Sequence, residues 1–127
     1  MSLDSRKEWR LPESLHYDEP EAMDRAEAEA VLRGQDPTAI CEALVRVALH
    51  DPDWAWVQEH CLRLTAATDP EVRGVAATCL GHLARIHGML DLIRVEPTLR
   101  QLRRDPEVRG HAEDALDDIQ QFMGTDG

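Results

Sequence analysis

The sequence has no long apolar run, and this absence argues against a membrane protein. Nothing in its 127 residues approaches the roughly 18 consecutive apolar residues of a membrane-spanning helix. Residues 1–21 are charged throughout and contain no apolar signal-peptide core, so we expect a cytoplasmic protein without membrane contact. Aromatic residues are scarce at 4%, but the hydrophobic content of 43% is too high for a disordered chain.

Cysteine is also sparse, and the motifs of common active sites are missing. The three cysteines, Cys41, Cys61 and Cys79, are odd in number and far apart, so reduced thiols are expected instead of a disulfide framework. No serine follows residue 14, and there is no glycine-rich phosphate loop. None of the six histidines has a second histidine at the i, i+4 spacing of a helical zinc site. We therefore predict no catalytic residue, no metal site and no cofactor.

The charge balance is acidic, and the excess acid lies at the two ends of the chain. The 25 acidic and 14 basic residues give a net charge of −11. Residues 1–30 contribute −5, residues 31–104 contribute 0 and residues 105–127 contribute −6. A protein that binds the nucleic-acid backbone needs the opposite sign, so we predict no nucleic-acid partner. An acidic surface attracts basic proteins, although acidity can also serve only to keep a protein soluble.

Asp-Pro pairs divide the sequence into helices. Four such pairs each precede a run with helical periodicity, and they lie at residues 36–37, 51–52, 69–70 and 105–106. Asp caps free backbone N–H groups, and proline at the first helical position loses no hydrogen bond. Gly34 and Gly88 stand where helix ends favour a left-handed residue. No segment alternates with period two, so the fold is predicted to be all-α. Its six helices are expected at residues 21–33, 37–49, 52–67, 70–87, 91–103 and 106–122.

Two of the predicted helices begin with the same six residues, which indicates a repeat protein. The hexapeptide Asp-Pro-Glu-Val-Arg-Gly occupies residues 69–74 and 105–110, and a weaker copy starts at Asp36. In both helices the apolar side chains recur on one face. Neither helix buries such a face alone, so each needs a stacked neighbour.

The repeated pattern Asp-Pro-x-Val-Arg-x-x-Ala-x-x-x-Leu resembles the second helix of a HEAT repeat, and residues 95–102 around Pro97 resemble its first helix. This resemblance implies an α-solenoid of about three helix pairs in a right-handed superhelical stack. The pairs would span residues 21–49, 52–87 and 91–122 of a single domain, with residues 1–20 packed on the first repeat and 123–127 as a flexible tail.

The sequence departs from the HEAT pattern in one position that matters for packing. HEAT repeats usually carry an acid six residues before the arginine, where it forms a ladder between repeats, but Ala67 and Arg103 stand there. Asp69 and Asp105, four residues before the arginines, are expected to act as helix caps. Arg73 and Arg109 occupy equivalent positions near helix starts, where the helix dipole disfavours a cation. We therefore expect each arginine to be held by an acid of the neighbouring repeat or by a backbone carbonyl.

The face opposite the predicted core is the candidate binding surface. In a HEAT-like array the second helices line the concave side, so helices 70–87 and 106–122 would present their polar strips together. Small residues in these strips, such as Gly74 and Gly81, would let a partner approach. The last helix has several acids spaced to repel one another, which stable solvated helices usually avoid. The partner-binding candidates are Thr78, His82, Arg85, Asp114, Asp117, Asp118 and Gln121, together with Trp56, which is expected at least partly exposed while Trp54 faces the core.

The corresponding strip on helix 37–49 is apolar and needs a cover. It consists of Cys41, Val45, Ala48 and Leu49. The N-terminal segment offers Trp9, Leu11, Leu15 and Tyr17, but a partner protein or a second copy of the chain, which would make a homodimer through residues 37–49, are equally open alternatives.

Two functional hypotheses follow. The first is a non-enzymatic bacterial protein-interaction module whose acidic concave face binds a basic or mixed-charge protein. Its size and acidity are similar to those of immunity proteins that neutralise toxins, some of which are HEAT-like. The alternative is a HEAT-like lyase-type enzyme subunit, or a chaperone, acting on a chromophore or a protein, with His82 as the best-placed histidine.

Overall fold

The computed structural model describes residues 22–124, which form six α-helices and contain no β-strand. The all-α prediction is therefore confirmed for this range. The expectations for residues 1–20 and 125–127 lie outside the described residues, and Met123, predicted in the tail, is helical. The helices are α1 (Arg25–Leu32), α2 (Pro37–His50), α3 (Trp54–Leu64), α4 (Pro70–His87), α5 (Leu92–Leu102) and α6 (Arg109–Met123).

The Asp-Pro rule is confirmed for α2 and α4. The Asp36 carboxylate accepts hydrogen bonds from the backbone N–H groups of Thr38 and Ala39, and a proline follows it at the first helical position. Asp69 caps α4 in the same way, accepting from Glu71 and Val72. Both starts are local, because the cap and the proline satisfy the free N–H groups without any tertiary contact.

The rule is wrong for the other two pairs. The cap of α3 is Asp53, which accepts from the Trp56 N–H at 3.1 Å, while the Asp51 carboxylate accepts from the N–H of Asp53 itself. The Asp105 backbone carbonyl accepts from Val108 N–H in a turn, so α6 begins only at Arg109. In both cases the turn after the proline is not yet helical.

The prediction that glycine ends a helix in the left-handed conformation is confirmed at Gly88 but not at Gly34. Gly88 ends α4 with φ of 64°, in the left-handed region, as predicted. Gly34 is expected to do the same after α1, but its φ is not positive. There the chain turns through an ordinary bond from Gly34 N–H to the Val31 carbonyl at 3.0 Å.

Helix α4 lies at the centre of the packing, because it contacts α2, α3 and α6. Its buried side chains include Val72, Leu80 and Leu83, and Cys79 is fully buried beside them. The core continues through Leu44 of α2. Cys61 of α3 is also fully buried, so Cys61 and Cys79 are core residues as the helix pattern predicts. Trp54 and Trp56 are both half-buried, so the predicted contrast between them is weaker than expected.

Two glycines on α4 allow α6 to approach closely. A Cβ atom at Gly74 would lie 2.7 Å from the His111 ring, and one at Gly81 would lie 3.1 Å from the Ala115 Cα. The contacts advance along both helices together, from Gly74 with His111 to Gly81 with Asp118, so α4 and α6 run in the same direction. These small residues were predicted to let a binding partner approach, but they serve the packing of α6 instead.

Arg73 links α4 to the segment before α6, as its position in the repeat predicts. Its guanidinium donates to the carbonyls of Ala67 and Thr68 and lies 3.1 Å from the carboxylates of both Asp105 and Glu107. Arg109 likewise donates to a carbonyl, that of Arg103, at 3.1 Å. Both arginines are therefore held by the partners expected from the sequence.

Candidate partner-binding surface

The acidic residues of α6 form a row on its outer side. Ala112, Ala115 and Ile119 are buried against the rest of the protein, which turns the intervening positions outward. Asp114 and Asp117 are exposed, and Asp118 is half-buried where its carboxylate meets Gly81 of α4. We call Asp114, Asp117 and Asp118 the acidic row. Gln121 is exposed one turn further along.

The acidic row has no cation to neutralise it within the described residues. None of the ion pairs formed among residues 22–124 includes Asp114, Asp117 or Asp118. Asp114 and Asp118 stand at i, i+4 spacing, where like charges repel by a few tenths of a kcal/mol. Asp117 and Asp118 also lie in the C-terminal half of α6, where the helix dipole disfavours anions. A cationic partner would relieve both costs.

The neighbouring strip on α4 is largely engaged with α6. The Thr78 hydroxyl lies 3.0 Å from Nδ1 of His111, in hydrogen-bond contact across the two helices. Arg85 is exposed and donates to Nδ1 of His82. Burial, and then the Arg85 charge, lower the pKa of His82, while Asp118 opposes this shift. His82 is therefore neutral near pH 7 and has Arg85 as a fixed neighbour.

Seven of the eight predicted residues thus lie on the adjacent helices α4 and α6, and Trp56 does not. Trp56 belongs to α3 and takes part in a different polar cluster. Its indole N–H donates to Glu29 Oε1 at 3.1 Å, and the Arg25 guanidinium lies over its ring at 4.1 Å. Trp56 is therefore part of the contact between α1 and α3.

Glu29 is the centre of this second cluster, which the sequence did not predict. Besides Trp56, Glu29 accepts from Arg33, the residue that follows α1, and lies 3.0 Å from Nε2 of His60. The Arg33 guanidinium, followed by His60, lowers the pKa of Glu29 to about 2. The cluster borders an open pocket of about 370 Å³ lined by Glu29, Arg33, Trp56, Glu59, His60 and Arg63. The sequence could have predicted only the ion pair of Glu29 and Arg33, from their i, i+4 spacing.

The bonds of His60 fix its protonation state. Its side chain is only 4% exposed, and its Nδ1 accepts from Arg63 at 2.7 Å. Nε2 must therefore carry the proton that points to Glu29. Burial is the main reason why the pKa of His60 is lowered, although Glu29 opposes it and Arg63 contributes to it. A second proton on Nδ1 would face the Arg63 N–H group, so this site selects the neutral ring.

This arrangement predicts that stability falls in mild acid. The pKa of His60 is lower in the folded chain than its ordinary 6.5, so the unfolded chain binds the proton more readily. The free energy of unfolding should fall as pH drops below about 6.5, by at most about 1.4 kcal/mol per pH unit for one proton. His60→Gln keeps a donor toward Glu29 without titrating, so it should reduce the slope in urea unfolding between pH 7 and 5. The exposed His111 provides the control, His111→Gln, and an equal change of slope in both variants would contradict the assignment.

The apolar strip on α2 is partly covered within the described residues. Ala48 is buried, Cys41 and Val45 are half-buried and pack against the core, and Leu49 is half-buried. Burial raises the pKa of the Cys41 thiol to about 11, which disfavours its thiolate form. The candidate covers from the N-terminal segment lie outside the described residues.

Residues 22–124 offer neither a metal-binding cluster nor a membrane span. No group of three or more His, Cys, Asp or Glu side chains in this range is placed to hold a metal ion. In the same range no helix is both long enough and apolar enough to cross a bilayer.

Residues 22–124 form an all-helical fold, and the chain is similar to a protein of known structure. A chain in the crystal structure of a CDI complex from Cupriavidus taiwanensis LMG 19424 matches it with a TM-score of 0.75 and 35% sequence identity. The match covers 85% of this chain and 97% of that chain. No protein-family model and no curated protein matches the sequence. At this identity over nearly all of that chain, the protein belongs to the same family as this component of the CDI complex.

Proposed function

We propose that this chain is a non-enzymatic immunity-type protein of a contact-dependent inhibition (CDI) system, and that it binds and neutralises a toxin protein in the cytoplasm. The observation that carries the proposal is the match to a chain of a CDI complex, which extends over 97% of that chain at 35% identity. A complex of this kind requires a protein partner. The sequence, which has no catalytic motif, is consistent with a role in binding.

The acidic row on α6 is the proposed contact surface for a basic or mixed-charge toxin. Three carboxylates that form no ion pair with any of residues 22–124 attract a basic protein and speed its association. Gln121 is exposed one turn beyond the row, and Arg85 is exposed on the neighbouring helix α4. The lyase-type alternative depended on His82, and no observation favours it, because this ring is half-buried and bonded to Arg85.

The proposed architecture is a short HEAT-like α-solenoid of three helix pairs with boundaries at 21–49, 52–87 and 91–122. Three observations support it: the repeated hexapeptide, the packing of α4 on both α2 and α6, and Arg73 reaching from one pair to the next. The first helices are linked as well. Glu29 of α1 contacts α3, and Glu59 of α3 pairs with Arg94 of α5 at 2.6 and 2.9 Å.

A direct test mixes the purified chain with the polypeptide encoded by the gene beside its own, and with the partner chain of the Cupriavidus complex. We expect a one-to-one complex with the neighbouring polypeptide by calorimetry, and restored growth when the two are co-expressed in cells that this polypeptide inhibits. Hen lysozyme at the same ionic strength controls for unspecific attraction between opposite charges. If neither polypeptide forms a complex with the chain and growth is not restored, the proposed function is wrong.

A further inference from the structure

Large apolar side chains are exposed at only a few positions of residues 22–124, and these positions share one end of the molecule. Ile93 is 86% exposed, and the others are between 43% and 48% exposed. The set consists of Ile86, Met89, Ile93 and Phe122, and we call it the apolar end. Single exposed apolar residues need no explanation, but a cluster of them marks a binding surface.

The topology explains why these residues lie together. Helix α4 ends at His87 and α5 begins at Leu92, so Ile86, Met89 and Ile93 surround one short connection. Helices α4 and α6 run in the same direction, so the end of α6 that carries Phe122 lies beside the end of α4. Ile86 and Phe122 are also equivalent positions of the 36-residue repeat.

The acidic row leads directly into the apolar end. Asp114, Asp118 and Phe122 follow one another at i, i+4 spacing, so their side chains lie along one line of α6. His82 and Ile86 have the same spacing on α4. Because Asp118 contacts Gly81, the two lines run side by side. The result is one continuous surface, acidic along α6 and apolar at its end.

The charge around the apolar end is mixed, and its negative side lies toward α6. The C-terminal ends of α4 and α6 both lie there, and the last carbonyl groups of a helix are equivalent to roughly half a negative charge, whereas Arg85 in the last turn of α4 and the N-terminus of α5 add positive charge. The last turn of α6 has no basic residue and follows the acidic row, so this side favours apolar side chains that are accompanied by cations. The C-terminal caps Gly88 and Gly124 have no side chain that could cover the apolar end.

We propose that the apolar end is the anchor of the toxin interface, and that it receives an aliphatic or aromatic side chain of the partner flanked by lysine or arginine. This inference rests on the proposed function and names the part of the surface that holds the complex together. Binding energy in such interfaces concentrates in a few well-packed apolar side chains, whereas surrounding charges mainly set the association rate. The apolar end should therefore govern dissociation.

The test measures association and dissociation rates by surface plasmon resonance against the polypeptide encoded beside this gene. The double variant Ile93→Ala, Phe122→Ala should dissociate about 30-fold faster, with an association rate changed by less than about twofold. Ile93 is 86% exposed, so its truncation should not disturb folding, and circular dichroism checks this for both variants. Leu62→Ala is the control, because Leu62 is apolar and half-buried near the end of α3, which leads into the start of α4 and not into its apolar end.

The outcomes distinguish a failure of the proposed function from a failure of the inference about the apolar end. If the wild type forms no complex, the proposed function fails and this inference fails with it. If the wild type binds but the double variant dissociates at the wild-type rate, only the inference is wrong. A second copy of this chain is the competing occupant of the apolar end, and sedimentation of the chain alone tests for it. If the wild type is a dimer and the double variant is a monomer, a second copy covers the apolar end and the proposal is overturned.

Discussion

Replacing Gly81 by leucine is expected to force α4 and α6 apart and to destabilise the protein by about 3 kcal/mol. A Cβ atom at this position would lie 3.1 Å from the Cα and 3.4 Å from the Cβ of Ala115, and 2.8 Å from a carboxylate oxygen of Asp118. Asp118 can move away because it is a side chain at the surface. The Ala115 backbone cannot, since the buried side of α6 holds it. Urea unfolding of both proteins measures the difference.

Gly74→Leu is the matched control on the same helix. Its Cβ would meet only the ring of His111, which is exposed and can swing outward. Leucine is also favoured over glycine inside a helix, so this variant should lose much less stability than Gly81→Leu. Equal losses at Gly74 and Gly81 would show that the backbone approach at Ala115 is not what limits the packing.

Changing Asp114, Asp117 and Asp118 together to asparagine is expected to slow toxin association by about tenfold or more at low ionic strength. The asparagines keep the shape of the surface but remove its charge. Folding should be unchanged or slightly favoured, because the variant relieves the repulsion between Asp114 and Asp118 and the unfavourable dipole interaction. The measurement is the association rate at two salt concentrations, and the salt dependence should flatten in the variant.

The control for this experiment removes the same charge elsewhere. Glu27, Glu42 and Glu71 are exposed on α1, α2 and α4, and their combined change to glutamine alters the net charge by the same amount. If the two triple variants associate at equal rates, the effect belongs to the overall charge of the protein. In that case the acidic row only keeps the protein soluble, which is the alternative that its composition left open.

The sequence alone determined the features that depend on neighbouring residues. The starts of α2 and α4 follow from Asp36 and Asp69, because a carboxylate and a proline satisfy a helix end locally. The repeated hexapeptide likewise predicted that Arg73 and Arg109 are each held by an acid of the neighbouring repeat or by a backbone carbonyl. The repeat also paired the polar residues of α4 with those of α6, since repeats that stack place equivalent residues side by side.

Tertiary structure decided everything that depends on which surfaces meet. Gly81 appeared to be an open position for a partner, but α6 occupies it. Glu29 and His60 are 31 residues apart, and only the packing of α1 against α3 makes them a bonded pair. Ile93 and Phe122 lie far apart in the chain and come to the same end of the molecule, because α5 begins where α4 ends and α6 runs in the same direction as α4. Periodicity shows which side of each helix is apolar, but the neighbouring helix decides which of those residues stay exposed.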